Sequence, residues 1–402
     1  AFDGVERTAK ASFGDARVYL ERFIARARHV EVQVFGNGHG RAVALGERDC
    51  SLQRRNQKVI EETPAPNLPD TVRKRLLAAA EALCASVNYA SAGTVEFIYD
   101  PDRQEFAFLE VNTRLQVEHP VTEAVLGIDL VEWMVRQAAG EDPIPAVLPE
   151  PKGHAIEARL YAEQPHAGFR PSAGRLTDVA FPDDIRVDGW IATGTVVEPY
   201  YDPMLAKIIV HGADRPAAIA ALQRALAASR MAGIATNLDY LSAIAASDMF
   251  AAGDVTTAAL GRFAFAPKGI EVLAPGAQSS LQELPGRLGL WHVGVPPSGP
   301  MDARGHRNAN RLVGNPPDTA ALELTMTGPT LRFLSPVRVG LAGARMRMTL
   351  DGAAVTGAVI DVPAGGVLAF GAIEGAGMRA YLAVAGGFAT PEVLGSRATF
   401  GL

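Results

Sequence analysis

Leu109-Glu110-Val111-Asn112-Thr113-Arg114-Leu115-Gln116-Val117-Glu118-His119-Pro120 sets five polar side chains, Glu110, Asn112, Arg114, Gln116 and Glu118, at every second position. In an extended chain these five share one face, and Val111, Leu115 and Val117 take the other. A strand with one solvated face also alternates. Strand surfaces favour Thr, Val and Tyr, however, whereas this face carries carboxylates, amide and guanidinium in unbroken order. The choice of side chains points to a site.

The preceding run, Thr94-Val95-Glu96-Phe97-Ile98-Tyr99, reads as a strand, and Asp100-Pro101-Asp102-Arg103 as the turn of a hairpin. A loop with an odd number of residues puts Glu96 on the face of Glu110; an even loop puts it on the other. On one face, two facing carboxylates repel unless something neutralises them. With the Asn112 amide they make an all-oxygen set suited to Mg²⁺ or Mn²⁺ carrying nucleotide phosphates. An even loop would end that idea.

Further out, Val30–Phe35 and Arg41–Leu45 flank Asn37-Gly38-His39-Gly40, a hairpin signal. Because this glycine-rich turn enters a strand and not a helix, it lacks the amides of a phosphate loop. Thr71–Val87 carries apolar residues at helical spacing, Asp129 caps a helix to Ala139, and Asp214 with Pro216 opens a helix to Met231. From Gly269 onward, short strands alternate with Gly/Pro turns and little helix beyond Asp302–Leu312, as in an all-β barrel or sandwich. The 402 residues exceed one core. The divisions expected are 1–150, 151–263, a linker at 264–270, and 271–402. A net charge of −6 argues against a nucleic-acid-coating protein and against a polybasic membrane binder. Apolar runs fall short of a membrane span. Two cysteines cannot build a disulfide framework or a four-ligand zinc site, and a reducing, cytoplasmic compartment is the expectation. Cys50 reads as a small buried residue.

Taken together, Glu96 and Glu110–Glu123 resemble the ATP-grasp core of biotin carboxylase. Arg28–Gln33, Glu47–Lys58, Gly153–Arg159 and Tyr200–Met204 match the same family in order, over about residues 1–262. The resemblance implies an α+β fold: a partial ATP-grasp ATP-binding domain, a biotin carboxylase C-terminal domain, then a β-rich, barrel-like carboxyltransferase portion. Where acyl-CoA carboxylases usually read Gln-Arg-Arg-His-Gln-Lys, Asn56 stands for the His, as in the branch acting on urea. Ser280–Glu283, Gly294–Asp302, Glu323–Thr325 and Ala385–Phe388 resemble the KipA-type, allophanate-hydrolase-subunit-like family, which serves as carboxyltransferase in that branch.

The activity so implied is that of an ATP-dependent ligase. ATP and bicarbonate give carboxyphosphate, biotin is carboxylated, and the carboxyl passes to urea to give allophanate. The implied cofactors are ATP, Mg²⁺ or Mn²⁺, and biotin on a carrier domain outside this chain. Glu96, Glu110 and Asn112 would hold the metal. Lys58, Arg114, Gln116 and the Val117 backbone would hold bicarbonate, Glu118 would be its general base, and Arg159 would bind biotin and stabilise its deprotonated oxygen. Glu21, Arg22 and Ile24 match an adenine-contacting hinge; His29, Gln53 and Asn56 match ribose or phosphate contacts; Ile234 matches an apolar adenine neighbour. Asp302 is the carboxyltransferase candidate, with a helix N-cap as its competing role; Arg287 and His306 are weaker candidates. Met346-Arg347-Met348 resembles a biotinylation motif, but arginine lacks the free amine, so it reads as an ordinary strand.

The resemblance implies that the family's N-terminal domain, glycine-rich lid and two phosphate-contacting lysines precede this start. The carrier domain and the rest of the carboxyltransferase are expected beyond the end. The chain is therefore expected to be a fragment without turnover of its own. Partners implied are the biotinylated carrier domain and an allophanate hydrolase, with no nucleic acid and no membrane; a homo-oligomer is left open. Two other readings remain: a biotin carboxylase for a guanidine-type or acyl-CoA acceptor, and a non-catalytic binding scaffold.

Overall fold

The computed structural model describes residues 2–390 and 392–400. It divides into two compact units, Ala1–Phe265 and Ala266–Leu402.

The first unit is built on one eight-stranded sheet. In chain order its strands are β1 (Arg28–Asn37), β2 (Ala42–Arg54), β3 (Gln57–Thr63), β4 (Ala90–Asp100), β5 (Glu105–Asn112), β6 (His154–Tyr161), β7 (Arg186–Gly189) and β8 (Met204–Gly212). Their spatial order is β7-β8-β6-β3-β2-β1-β4-β5. The division expected at residue 150 falls between elements, but the sheet runs through it, because β3 pairs with β6. The Asn37–Gly40 segment is the expected turn: Asn37 Oδ1 accepts from the amides of His39 and Arg41. Five helices used below are α1 (Phe2–Phe13), α2 (Asp70–Ser86), α3 (His119–Leu126), α4 (Leu130–Ala138) and α5 (Arg215–Ala228). Asp129 and Asp214 cap α4 and α5 through the amides of Glu132 and Ala217. No described helix is long and apolar enough to cross a membrane.

The strands sort their side chains by face. Val30, Val32 and Val34 of β1 pack with Val72, Leu76 and Ala80 of α2. Ile60, Ala158 and Ile208 pack with Leu222 and Leu226 of α5. The alternate residues of the same strands are charged and still buried, among them Glu31, Arg48, Glu61, Glu157 and Arg159. Helix α3 and its lead-in turn meet this polar face. Thr122 Oγ1 accepts from Arg48 at 2.9 Å and Val117 O from Lys207 at 2.8 Å.

Between β4 and β5 the loop is Pro101–Gln104, because Asp100 pairs with Glu105. The loop is even, which by parity alone would have put Glu96 and Glu110 on opposite faces. A bulge at Leu109 reverses that: Phe97 pairs with Phe108, yet Glu96 pairs with Glu110. One extra residue on the bulged strand shifts the alternation by one, so the two carboxylates face each other.

The second unit holds two five-stranded antiparallel sheets. Leu331, Phe333, Leu368 and Phe370 from one and Leu324, Val339, Ile360 and Leu382 from the other form one core. Both sheets have open ends among the described residues, so of the two β-rich forms expected, barrel and sandwich, the architecture is the sandwich, without barrel closure. Met346 and Met348 are buried, and the intervening Arg347 pairs with Glu374 at 2.8 Å on an ordinary strand.

Arg48 is fully buried and gives its fork to Glu31 Oε1 (2.8 Å from Nε) and Gln33 Oε1 (2.7 Å from Nη1). Burial opposes the charge on Glu31, but Arg48, Lys58 and His29 hold its carboxyl down at about 2. Arg48→Met would strand that carboxylate, a loss of about 3–5 kcal/mol in denaturant unfolding at pH 7. A depressed carboxyl stabilises above its ordinary value near 4.5 and loses that contribution as pH falls toward 2. The penalty of the substitution should therefore shrink over that window.

Candidate functional site

A cleft of about 690 Å³ in the first unit collects side chains from six of the sheet strands, β1 to β6, and from the turn before α3. Its lining includes His29, Gln53, Asn56, Lys58, Glu96, Glu110, Asn112, Arg114, Gln116, Val117, Glu118 and Arg159. The convergence is not that of one strand face. Strand β5 ends at Asn112, and the chain then bends through Thr113–Gln116 into the turn at Val117-Glu118 before α3 begins. The period-two stripe is strand only in its first third; the bend keeps its later members on the cleft.

Lys58 organises the floor. Its ammonium contacts Glu31 at 2.7 Å and Glu96 at 3.2 Å, and is bonded to Glu118. Burial disfavours the charge on Lys58, but its carboxylate neighbours raise its affinity for the proton. Glu96 is likewise pushed up by burial and pulled down further by His29, Lys58 and Gln116, to about 2. Gln53 Nε2 donates to Cys50 O at 2.9 Å, which orients its amide, and lies 3.1 Å from His29 Nδ1. That leaves His29 Nε2 facing Glu96 Oε2 at 3.0 Å. Gln116 Nε2 donates to Glu96 Oε1 at 2.8 Å, while its own Oε1 is buried without a partner. Arg159 Nη2 donates to Glu118 Oε2 at 3.0 Å, so both Glu118 oxygens face cations. Burial opposes the charge on Arg159, and Glu61 and Glu118 raise its affinity for the proton.

Glu110 and Arg114 differ from this saturated floor. Glu110 is exposed on the cleft and takes only a long bond, 3.3 Å, from Asn112 Nδ2. The Arg114 fork is exposed and makes no hydrogen bond or ion pair with a described residue. Glu96, Glu110 and the Asn112 side-chain carbonyl line the same cleft, and the lightly engaged oxygens of Glu110 and Asn112 could ligate a hard divalent cation. Two other tight groupings, His29–Glu31–Glu96 and Glu31–Cys50–Glu118, surround positions where Lys58 already supplies positive charge.

Four expected nucleotide contacts lie off the cleft lining. Glu21, Arg22 and Ile24 sit in the chain between α1 and β1, and Arg22 reaches Glu105 at 3.3 Å. Ile234 packs with Leu160, Leu176 and Leu205. In the second unit, Asp302 is the N-cap of helix Ala303–Leu312, its Oδ1 accepting from Arg304 and Gly305 amides at 3.0 Å. Arg287 is spent on the carbonyls of Val393, Ser396 and Ala398. His306 is buried against Tyr381 and Gln282 O. Residues given no role by sequence, Glu31, Arg48, Glu61, Glu157 and Lys207, hold the floor. The available signal was His29-x-Glu31-x-Gln33 and Glu157-x-Arg159: polar alternation inside strands otherwise apolar.

The chain matches three family models in sequence order. Residues 2–144 match the carbamoyl-phosphate synthase L chain ATP binding domain, 157–262 the biotin carboxylase C-terminal domain, and 293–402 the carboxyltransferase domain, subdomains A and B. It is 54% identical to urea amidolyase of Saccharomyces cerevisiae across all of its own length and 22% of the relative's. It resembles the crystal structure of Kluyveromyces lactis urea carboxylase with a TM-score of 0.86 at 51% identity, covering 99% of this chain and 34% of that one. The chain thus spans about a fifth to a third of the length of these relatives. A biotin carboxylase domain of Hydrogenobacter thermophilus 2-oxoglutarate carboxylase, solved with MgADP and bicarbonate, matches 65% of this chain and 58% of its own, at 37% identity and a TM-score of 0.61. Its coverage leaves about a third of this chain unmatched, whereas the urea enzymes match from end to end. By its end-to-end match to urea amidolyase and urea carboxylase, and by the order of its three matched segments, the chain belongs to the family of those urea enzymes.

Proposed function

We propose that this chain supplies the ATP- and bicarbonate-activating cleft, and part of the carboxyltransferase, of a biotin-dependent urea carboxylase. The observation that carries the reading is the pairing of Glu96 with Glu110 beside an unspent Arg114. Glu96, Glu110 and Asn112 would hold Mg²⁺, with Mn²⁺ as a substitute, and the cation would supply positive charge against the nucleotide phosphates. Arg114 would grip bicarbonate by its fork. The unpartnered Gln116 Oε1 offers an acceptor to the bicarbonate hydroxyl, and Glu118 lies on the same wall as the proton acceptor. Lys58 is so fully engaged by carboxylates that its part is to hold Glu118 and Glu96 in place. Its direct contact with the anion would need one of those bonds to open. Arg159, beside Glu118, is the cation for the ureido oxygen of biotin, which would arrive on a carrier domain.

His29, Gln53 and Asn56 line the nucleotide side of the cleft, and Glu21, Arg22, Ile24 and Ile234 remain candidates only for a closed arrangement around nucleotide. Asp302 serves the carboxyltransferase indirectly, by fixing the start of its helix. The transfer of carboxyl to urea, with allophanate passed to a hydrolase, is supported by the end-to-end likeness to urea enzymes. Two buried free thiols, Cys50 and Cys84, suit a cytoplasmic setting.

Glu110→Gln should weaken Mg²⁺-dependent nucleotide binding, read by calorimetry on the chain, while leaving the denaturation midpoint unchanged, since Glu110 is exposed. An unchanged magnesium dependence would remove the metal assignment. In the full-length carboxylase, Glu118→Gln should lower bicarbonate-dependent ATP cleavage by about 10²–10⁴-fold. Acceptor choice is tested by ATP turnover of that protein with urea, guanidine and acetyl-CoA. Urea should give the highest kcat/KM, and a preference for either of the others would sink the urea reading.

A further inference from the structure

Behind the cleft wall lies a second group of charges that the reaction above does not use. Glu61 on β3 and Glu157 on β6 are directly paired across the sheet, so their side chains share one face. Both residues are fully buried, and none of their four carboxylate oxygens finds a hydrogen-bond partner. Glu61 Oε1 lies 2.5 Å from Arg159 Nε, an ion pair without the alignment of a hydrogen bond. Glu157 is 4.0 Å from both Arg159 Nε and Lys207 Nζ.

The charges around the pair do not balance. Arg48, Lys58, Arg159 and Lys207 face Glu31, Glu61, Glu96, Glu118 and Glu157, so carboxylates outnumber cations by one, His29 aside. Asp188 on β7, 3.3 Å from Lys207, is itself held by Arg186 of the same strand and leaves the excess in place, and His119 at the start of α3 and Tyr161 on β6 add no permanent charge. Two ionised carboxylates cannot share so dry a space without a cation or proton between them.

We propose that Glu61 and Glu157 hold one proton between them and act as a positioning pair, anchoring Arg159 from behind so that its Nη2 edge stays beside Glu118. Burial raises both groups; Arg159 offsets part of this for Glu61, which stands at about 7, and Glu61 adds to it for Glu157, which stands well above the ordinary carboxylate value. Because Glu61 lies 2.5 Å from Arg159 Nε and Glu157 4.0 Å, Glu61 carries the charge that meets Arg159 and the proton sits mainly on Glu157. The two titrate as a unit. For groups raised in the folded state, the stabilisation is complete below the unfolded value near 4.5 and falls as pH rises through about 7 and beyond. When the second proton leaves, two buried anions repel, and Arg159 is drawn away from Glu118 toward them. The pair sets an alkaline limit on the cleft. Its bearing on catalysis rests on the reading proposed above; the shared proton and the anchor do not.

The test uses the chain and two variants, Glu61→Gln and Glu157→Gln. Infrared spectroscopy at pH 7 should show a protonated-carboxyl C=O stretch in the unsubstituted chain that disappears in E157Q. Absence of that band in the unsubstituted chain, or its survival in E157Q, overturns the shared proton. Denaturant unfolding should lose stability more steeply between pH 6 and 9 in the unsubstituted chain than in E157Q, and equal slopes count against the proposal. For the anchor, the Arg159 Nε–H resonance, assigned through Arg159→Lys, should be shifted downfield and slow to exchange in the unsubstituted chain and in E157Q. It should move upfield and exchange faster in E61Q; an unmoved resonance rejects the anchoring role. In the full-length carboxylase, E61Q should lower kcat for carboxylation of free biotin by roughly tenfold, with the KM for ATP unchanged; an unchanged kcat counts against the positioning role. If that enzyme shows no biotin carboxylation at all, the functional reading fails, and the infrared and resonance results still decide the pair.

Discussion

The first unit depends on one ammonium group. Lys58 Nζ meets Glu31, Glu96 and Glu118, which come from β1, from β4 and from the turn before α3. Each of those carboxylates is at least nine-tenths buried and would be costly alone. With Lys58 in place, and Arg48 behind Glu31, the charges compensate and the three segments are fixed relative to one another. The cleft is thus rigid where its floor is made, and its free valences lie at the rim, on Glu110 and Arg114. That division suits a phosphoryl-transfer site, where catalysis is mainly positioning and electrostatics and reorganisation on binding is costly.

A sheet with one apolar face and one charged but buried face is unusual in composition. Here the apolar faces of β1, β3, β6 and β8 pack on α2 and α5, and supply the hydrophobic stabilisation. The opposite face is closed by α3 and its lead-in turn through polar contacts, among them Arg48 to Thr122 and Lys207 to Val117 O. Such a face adds little net stability, since desolvation cancels most of the Coulomb gain. What it adds is specificity of position: a carboxylate held by two cations has one orientation, where a leucine would have several.

In the second unit the polar residues that sequence singled out mostly serve the backbone. Asp302 starts a helix, its own amide donates to Tyr381 Oη at 2.7 Å, and that hydroxyl donates to Glu323 Oε2 at 2.7 Å. Arg287 gathers three carbonyls near the end of the described chain. Conspicuous residues in a β-sandwich are often those that close turns and cap helices, because short strands leave many backbone groups to satisfy.

The sequence by itself determined the elements and the chemistry on offer. Period-two alternation marked the strands, Asp129 and Asp214 marked helix starts, and the residues of Glu110–Glu118 named the cleft, because side-chain type and local periodicity are properties of the chain alone. Register was different. The parity of the Pro101–Gln104 loop pointed the wrong way, and only the bulge at Leu109, which has no sequence signature of its own, set Glu96 opposite Glu110. The floor was equally hidden, since Glu96, Glu118 and Glu157 lie far along the chain from Glu31, Arg48 and Glu61 and join them in one network only when the sheet orders the strands. Which charges are buried together, and so which must share a proton or a cation, is a property of long-range pairing, and tertiary structure alone decides it.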